Sequence, residues 1–169
     1  MARYRRFDDA RTTGEVPVIA PELADVRVRR AGLKTVMSDL ELALAAPAPH
    51  RVEWIMGVRG ALHAVHEMWT RHIVETEAPG AFLDELVTEA PRLSTPASRL
   101  RREHSEVLAE IAHGEKRLTA PPELDDDYTE WVEETRVELT KLLAALARHR
   151  QRGADLVYEA YDVDIGGGF

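Results

Sequence analysis

The chain has 169 residues, of which 44% are apolar and 31% are charged, a composition typical of one globular domain with a sizeable core. Its net charge of −8 argues against nucleic-acid binding, because phosphate recognition needs a concentrated basic face. The absence of cysteine excludes disulfides, thiolate metal sites and thiol catalysis. No apolar run is long enough to span a bilayer and no secretory signal is visible, so we expect a cytoplasmic protein that enters no membrane.

The sequence begins with a segment of mixed charge and no apolar stripe. We interpret residues 1–19 as an N-terminal arm and residues 20–169 as one domain. A first helix is predicted from Pro21, a residue that suits the first helical turn, to about Ala45. Its apolar residues recur every three or four positions, and Pro47 follows its end.

The second predicted helix runs from Arg51 to Glu77 and carries the most regular apolar stripe in the chain. The stripe consists of Ile55, Val58, Leu62, Val65 and Trp69. Residues at these spacings share one helix face. The next positions on that face are His72 and Thr76, so a histidine interrupts an otherwise apolar surface.

Two further long helices follow. Residues 81–88 favour a short extra helix. The run Ser94-Thr95-Pro96, a hydroxyl N-cap followed by proline at the first helical position, predicts the start of a third long helix that ends near Leu118. The acidic run Asp125–Asp127 suits the start of a fourth helix, which we expect to end before Gly166. The chain is therefore predicted to be all-α, an antiparallel four-helix up-down bundle with a short extra helix between helices 2 and 3.

Three of the predicted helices each place one histidine on the inner face, namely His72, His104 and His149. Because an α-helix rises about 1.5 Å per residue, His72 lies roughly 7 Å and His104 roughly 12 Å below the same end of the bundle. His149 matches the depth of His72. Histidine is not a favoured core residue, so this layer indicates either a metal site or a group of satisfied core histidines.

Two stretches carry a likeness to a known family: His72–Glu77, and Ala147–Asp155 continuing through Tyr161–Gly168. They resemble the hemerythrin-like (HHE cation-binding) family of four-helix bundles, and the likeness covers roughly residues 20–168. Members of that family hold two irons. Their ligands are one histidine from the first helix, His-x3-Glu on the second, His-x3-His on the third and His-x4-Asp on the fourth.

The chain departs from this family pattern at its carboxylates. The position four residues after the helix-2 histidine is Thr76, and Glu75 and Glu77 lie about 100° to either side of it. The carboxylate expected on the last helix is displaced by one position, to Asp155. Helix 1 offers the pair Arg29–Arg30 where the family has a histidine, and leucines replace the second ligand of helix 3.

A di-iron centre needs bridging carboxylates to offset the charge of two cations. We therefore expect His72, His104 and His149 to hold one iron or zinc ion with an open position, as in three-histidine zinc sites, or to form an empty pocket. A di-iron centre is the less favoured alternative. Glu75, Glu77, Glu103 and Asp155 are weaker ligand candidates. Glu103, beside His104, would be a ligand or an acceptor for an imidazole N–H, although glutamate at such a position is usually a surface residue.

Three functions remain open from the sequence. By resemblance, an iron form would sense dioxygen, nitric oxide or peroxide, or handle iron. A bundle without metal would serve as an interaction or small-ligand-binding protein, and a DinB-like metal-dependent transferase or hydrolase is the third reading. We expect a metal ion or small ligand as the partner, and assembly with a second copy is compatible with the sequence. An enzymatic role is the less favoured interpretation.

Overall fold

The computed structural model describes the backbone of residues 21–123 and 127–166, and the side chains of residues 32–123 and 127–160. The predicted arm, the side chains of Arg29 and Arg30, part of the acidic run before the last helix, and the glycine-rich terminus lie outside these ranges. The elements are α1 (Pro21–Ala45), α2 (Arg51–Glu77), α3 (Phe82–Glu89), a 3₁₀ turn (Pro91–Leu93), α4 (Ser94–Thr119) and α5 (Tyr128–Gly166). Strands are absent from this part of the chain.

The ends of α1 and α2 follow from local sequence. Pro47 and Pro49 come directly after α1, and proline cannot continue a helix because it lacks the backbone N–H. At the end of α2, Ala78 donates its N–H to the carbonyl of Val74, and Gly80 adopts a φ of 74°. A positive φ is accessible to glycine at little cost, so the chain turns sharply there into α3.

The start of α4 differs from the sequence prediction. Ser94 does not cap the helix: its φ of −58° and ψ of −40° are already helical, and Leu93 occupies the N-cap position without a side-chain hydrogen bond. The preceding 3₁₀ turn, which begins at Pro91, leads the chain directly into the first turn of α4. A helix entered through a helical turn needs no separate hydroxyl cap, because the turn already accepts the first backbone N–H groups.

The predicted inner faces are buried. The main core combines residues of α1, α2, α4 and α5, including Leu40, Val58, Leu62, Val65, Trp69, Ile111, Leu139, Leu142 and Leu146. A smaller cluster joins α3 to α4 and α5 through Leu83, Leu86, Leu93, Ala97, Leu100 and Leu156. The apolar stripes read from the sequence are thus the core-forming faces.

A close approach of α4 to its neighbours depends on Gly114. A Cβ atom at this position would lie 2.7 Å from Cδ2 of Leu139 on α5 and 3.2 Å from Cδ2 of Leu62 on α2. The first distance is shorter than a normal van der Waals contact, so alanine at this position would require the buried side chain of Leu139 to shift. Glycine thus permits the close packing of α4 against α2 and α5 at this point.

Polar contacts pair particular turns of the helices. His66 on α2 contacts Glu115 on α4 at 2.9 Å, and Trp69 donates its indole N–H to the carbonyl of His104 at 3.2 Å. Arg136 of α5 donates to the carbonyl of Leu44 at the end of α1 at 2.9 Å. Within the described ranges, no helix is both long enough and apolar enough to cross a membrane.

Candidate metal centre

The three histidines of the candidate site lie on three different helices, α2, α4 and α5. His72 on α2 follows Trp69 by three positions, and His149 on α5 follows Leu146 by three. Residues three or four apart lie on one helix face, so the same pattern that buries Trp69 and Leu146 turns both imidazoles inward. His104 on α4 is placed in the same way between buried apolar turns.

The three imidazoles meet, as the depth estimate from the sequence predicted. The Nε2 atom of His149 lies 3.2 Å from Nε2 of His72 and 3.2 Å from Nε2 of His104. One ligand atom from each ring can be chosen so that all three lie within 4.8 Å of one another. His104 and His149 are only 2% and 4% exposed, whereas His72 is half-buried.

Carboxylates occupy the outer nitrogens of two rings. Nδ1 of His104 contacts Oε1 of Glu77, and Nδ1 of His149 contacts Oε2 of Glu103 at 3.2 Å. A carboxylate accepts hydrogen bonds, so in both pairs the Nδ1 atom donates the proton. Each neutral imidazole carries a single ring proton, which leaves the Nε2 lone pairs of His104 and His149 facing one another.

Glu103 is a buried residue, contrary to the surface role favoured by the sequence. It is 7% exposed, and its Oε1 atom contacts Nε of Arg152 at 2.8 Å and Nε of Arg99 at 3.3 Å. The position could have been found from the helical period, because Glu103 falls three residues after Leu100 and four before Val107, both of which are buried. The sequence prediction judged it by residue type rather than by its place on the helix.

The electrostatic setting keeps the rings neutral. Burial, with a further contribution from His104, lowers the pKa of His72 to about 4. Burial and then the two neighbouring histidines lower the pKa of His149 to about 3. The pKa of His104 is also lowered, since burial outweighs the opposing hydrogen bond and charge of Glu77. Near neutral pH the site therefore presents neutral imidazoles, the form that binds metal ions.

Trp69 forms one wall of the site. It is fully buried, and its ring centroid lies 4.8 Å from that of His149, 5.1 Å from that of His72 and 5.4 Å from that of His104. The place of Trp69 in the apolar stripe of α2 predicts a buried packing residue, which it is. Its contact with all three imidazoles, together with its hydrogen bond to the His104 carbonyl, also holds the rings together on the core side.

The other candidates from the sequence lie outside the cluster. Thr76 donates its hydroxyl to the carbonyl of His72 at 2.8 Å. Asp155 is exposed and accepts a hydrogen bond from Gln151 at 2.8 Å, while Glu75 is half-buried on α2. Within the described side chains, the cluster of potential ligand atoms consists of the three histidines alone.

The spacing of the Nε2 atoms fits a metal ion. Zinc–imidazole bonds of about 2.0–2.1 Å in a tetrahedral arrangement place two ligand nitrogens roughly 3.3 Å apart. The two Nε2 pairs that share His149 are each 3.2 Å apart. The neutral rings, the facing lone pairs of His104 and His149 and this spacing together match a site in which three nitrogens hold one ion.

Similarity to known proteins gives no functional assignment for this site. Comparison with protein-family models, with curated proteins and with solved structures gave no match to this chain. The residues of the site themselves are the basis for a functional proposal.

Proposed function

We propose that this protein is a hemerythrin-like, cation-binding helical bundle that binds one divalent iron or zinc ion through His72, His104 and His149. The observation that carries the proposal is the contact between Nε2 of His104 and Nε2 of His149, which lie 3.2 Å apart. Both rings donate through Nδ1 to carboxylates, so this contact joins two lone pairs and is no hydrogen bond. A cation between the lone pairs turns this repulsion into coordination.

The helix arrangement supports the hemerythrin-like part of the proposal. Glu77, at the end of α2, contacts His104, whereas His66, farther from that end, contacts Glu115. The later residue of α2 contacts the earlier residue of α4, and the earlier residue of α2 contacts the later one. This order is expected for two antiparallel helices. Arg136 at the start of α5 likewise meets the end of α1. These pairings support an up-down bundle with α3 as a short extra helix between its second and third long helices.

A single ion agrees better with the site than a dinuclear centre. The hydroxyl of Thr76 donates a hydrogen bond to the carbonyl of His72 on its own helix. Asp155 is exposed and accepts a hydrogen bond from Gln151. No bridging carboxylate therefore stands at either position where the resemblance would require one. Three histidines with one open position suit a catalytic-type zinc ion or a ferrous ion that takes a small exogenous ligand.

With iron bound, the open position would take dioxygen, nitric oxide or peroxide, which makes sensing or iron handling the function that the resemblance favours. A bundle that works without metal is the alternative. Its core histidines would then be structural, packed against Trp69.

Metal analysis of protein purified from iron- and zinc-supplemented cells tests the proposal. We expect about one ion per chain, because one set of three imidazoles binds one ion. His104→Leu should abolish binding, whereas His113→Leu, on the same helix but with a side chain that is 69% exposed, should leave it unchanged. Absence of metal from the wild type, even after incubation with Fe²⁺ or Zn²⁺, would contradict the proposal and favour the metal-free bundle.

A further inference from the structure

We infer that Glu77 and Glu103 are positioning residues, which act through His104 and His149 to fix the metal-binding tautomer and to supply the negative charge that a divalent ion requires. This inference rests on the proposed function and extends it to two carboxylates that lie outside the set of ligand atoms. Their contacts to Nδ1 of His104 and of His149 carry the inference.

The tautomer is the first effect of these carboxylates. A neutral imidazole places its proton on either nitrogen, and only the unprotonated nitrogen coordinates a metal ion. Glu77 and Glu103 accept hydrogen bonds from the Nδ1–H groups of His104 and His149, so the Nε2 atom of each ring stays unprotonated and available to the metal. The same hydrogen bonds fix the orientation of the two rings. Outer carboxylates of this kind also raise the basicity of the ligating nitrogen.

Charge is the second effect. A divalent ion held only by neutral imidazoles keeps both positive charges in a site where His104 and His149 are almost fully buried, and burying an uncompensated charge is costly. The negative charges of Glu77 and Glu103, which lie on the far side of the His104 and His149 rings, would offset the charge of the ion. The chain thus replaces the missing bridging carboxylates with carboxylates one imidazole farther from the metal.

The two carboxylates differ in their surroundings. The side chain of Glu77 is 29% exposed, whereas that of Glu103 is 10% exposed and is shared between His149 and the guanidinium groups of Arg99 and Arg152. These arginines fix Glu103 in place. They also bring positive charge close to the site, and that charge is offset by Glu103. Loss of the Glu103 charge should therefore weaken metal binding more than loss of the Glu77 charge.

The test is the affinity of metal-free protein for Zn²⁺, measured by competition with a chelator at about pH 7.5, above the usual histidine pKa. Glu77→Gln and Glu103→Gln keep the side-chain length and an oxygen that accepts the Nδ1 proton, and remove the charge. We expect each to weaken binding by about 10- to 100-fold, with Glu103→Gln the weaker binder. The absorption spectrum of the Co²⁺-loaded variants should match that of the wild type, because the coordinating atoms are unchanged.

A second substitution separates charge from structure. Glu103→Gln leaves Arg152 near His149 without its carboxylate, so adding Arg152→Gln should raise the affinity above that of Glu103→Gln alone. A merely structural role for Glu103 predicts the opposite, since a second lost contact would loosen the site further. The matched control is Glu106→Gln, on the same helix, where the side chain is 61% exposed and lies 3.6 Å from Arg102. It should bind as the wild type does.

Several results would overturn the inference. If both glutamine variants bind Zn²⁺ as tightly as the wild type while His104→Leu abolishes binding, the three-histidine metal site is supported and the proposed role of the carboxylates is refuted. A changed Co²⁺ spectrum in either variant would show that the carboxylate is itself a ligand. If the wild type binds no metal, the proposed function falls and the inference with it. Since Glu77 is partly exposed, Glu77→Gln decides the matter even if Glu103→Gln fails to fold.

Discussion

Acidification of the metal-free protein should reveal the buried histidines as a loss of stability. Burial lowers the pKa of His72 to about 4 and that of His149 to about 3, from an ordinary value of 6.5. Because these folded-state pKa values are depressed, the unfolded chain binds more protons below pH 6.5. The stability is therefore complete above that pH, and it falls as the pH drops towards the folded values.

The magnitude follows from the width of this window. Each such histidine costs about 1.4 kcal/mol per pH unit below the unfolded pKa. His72 and His149 together should therefore remove about 4 kcal/mol of unfolding free energy by about pH 5, which is a large part of the stability of a domain this size. The three sites interact, so the summed slope rather than any single pKa is the quantity to compare.

Urea unfolding of chelator-treated protein at about pH 7.5 and about pH 5, on either side of the ordinary histidine pKa, measures this loss. His149→Leu extends the apolar run of Leu142 and Leu146, and Glu103 keeps its two arginines. We expect this variant to lose only about half as much stability as the wild type, since one of the two strongly shifted groups is gone. The exposed-site control His113→Leu should lose as much as the wild type. An equal loss in His149→Leu would refute the claim that His149 is a buried neutral imidazole.

Three further outcomes test other parts of the structure. Zn²⁺ at 100 times its dissociation constant should stabilise the wild type by about 2.7 kcal/mol, seen as a higher melting temperature that His104→Leu does not show. Gly114→Ala should destabilise the metal-free protein by about 1–3 kcal/mol, because the added methyl group lies too close to Leu139. The control Gly60→Ala has open space around it and should stabilise the protein by about 0.5–1 kcal/mol. Equal effects of the two substitutions in urea unfolding would contradict the close packing at Gly114. Since Trp69 touches all three imidazoles, Co²⁺ binding should quench its fluorescence, and unchanged emission from the loaded protein would place the ion elsewhere.

Helix positions were readable from the sequence because long apolar stripes and proline breaks are local signals. The predicted limits Pro21–Ala45 and Arg51–Glu77 coincide with α1 and α2. The predicted hydroxyl cap at Ser94 is wrong, because whether a residue caps a helix depends on the conformation of the backbone before it. Here that backbone is the 3₁₀ turn Pro91–Leu93, which is too short to show a periodic apolar pattern in the sequence.

The convergence of the three histidines was predictable from the sequence, whereas the contacts around them were less so. Rise per residue and the inward face were enough to bring His72, His104 and His149 together. The contacts of Glu77 and Glu103 depend on side-chain rotamers and on the lateral distance between helices, which sequence spacing does not give. Residue type alone predicts a surface position for Glu103, because glutamate is seldom buried, yet its carboxylate contacts two arginines and an imidazole.

X-ray absorption spectroscopy of the zinc- or iron-loaded protein tests the central claim most directly. We predict a first shell that contains three imidazole nitrogens, at about 2.0–2.1 Å for zinc, with no metal–metal scattering. The same spectrum of His104→Leu should lose the three-imidazole pattern. A second metal ion at about 3.5–4 Å, the spacing of two-metal sites, or a shell dominated by carboxylate oxygens would contradict the mononuclear three-histidine site.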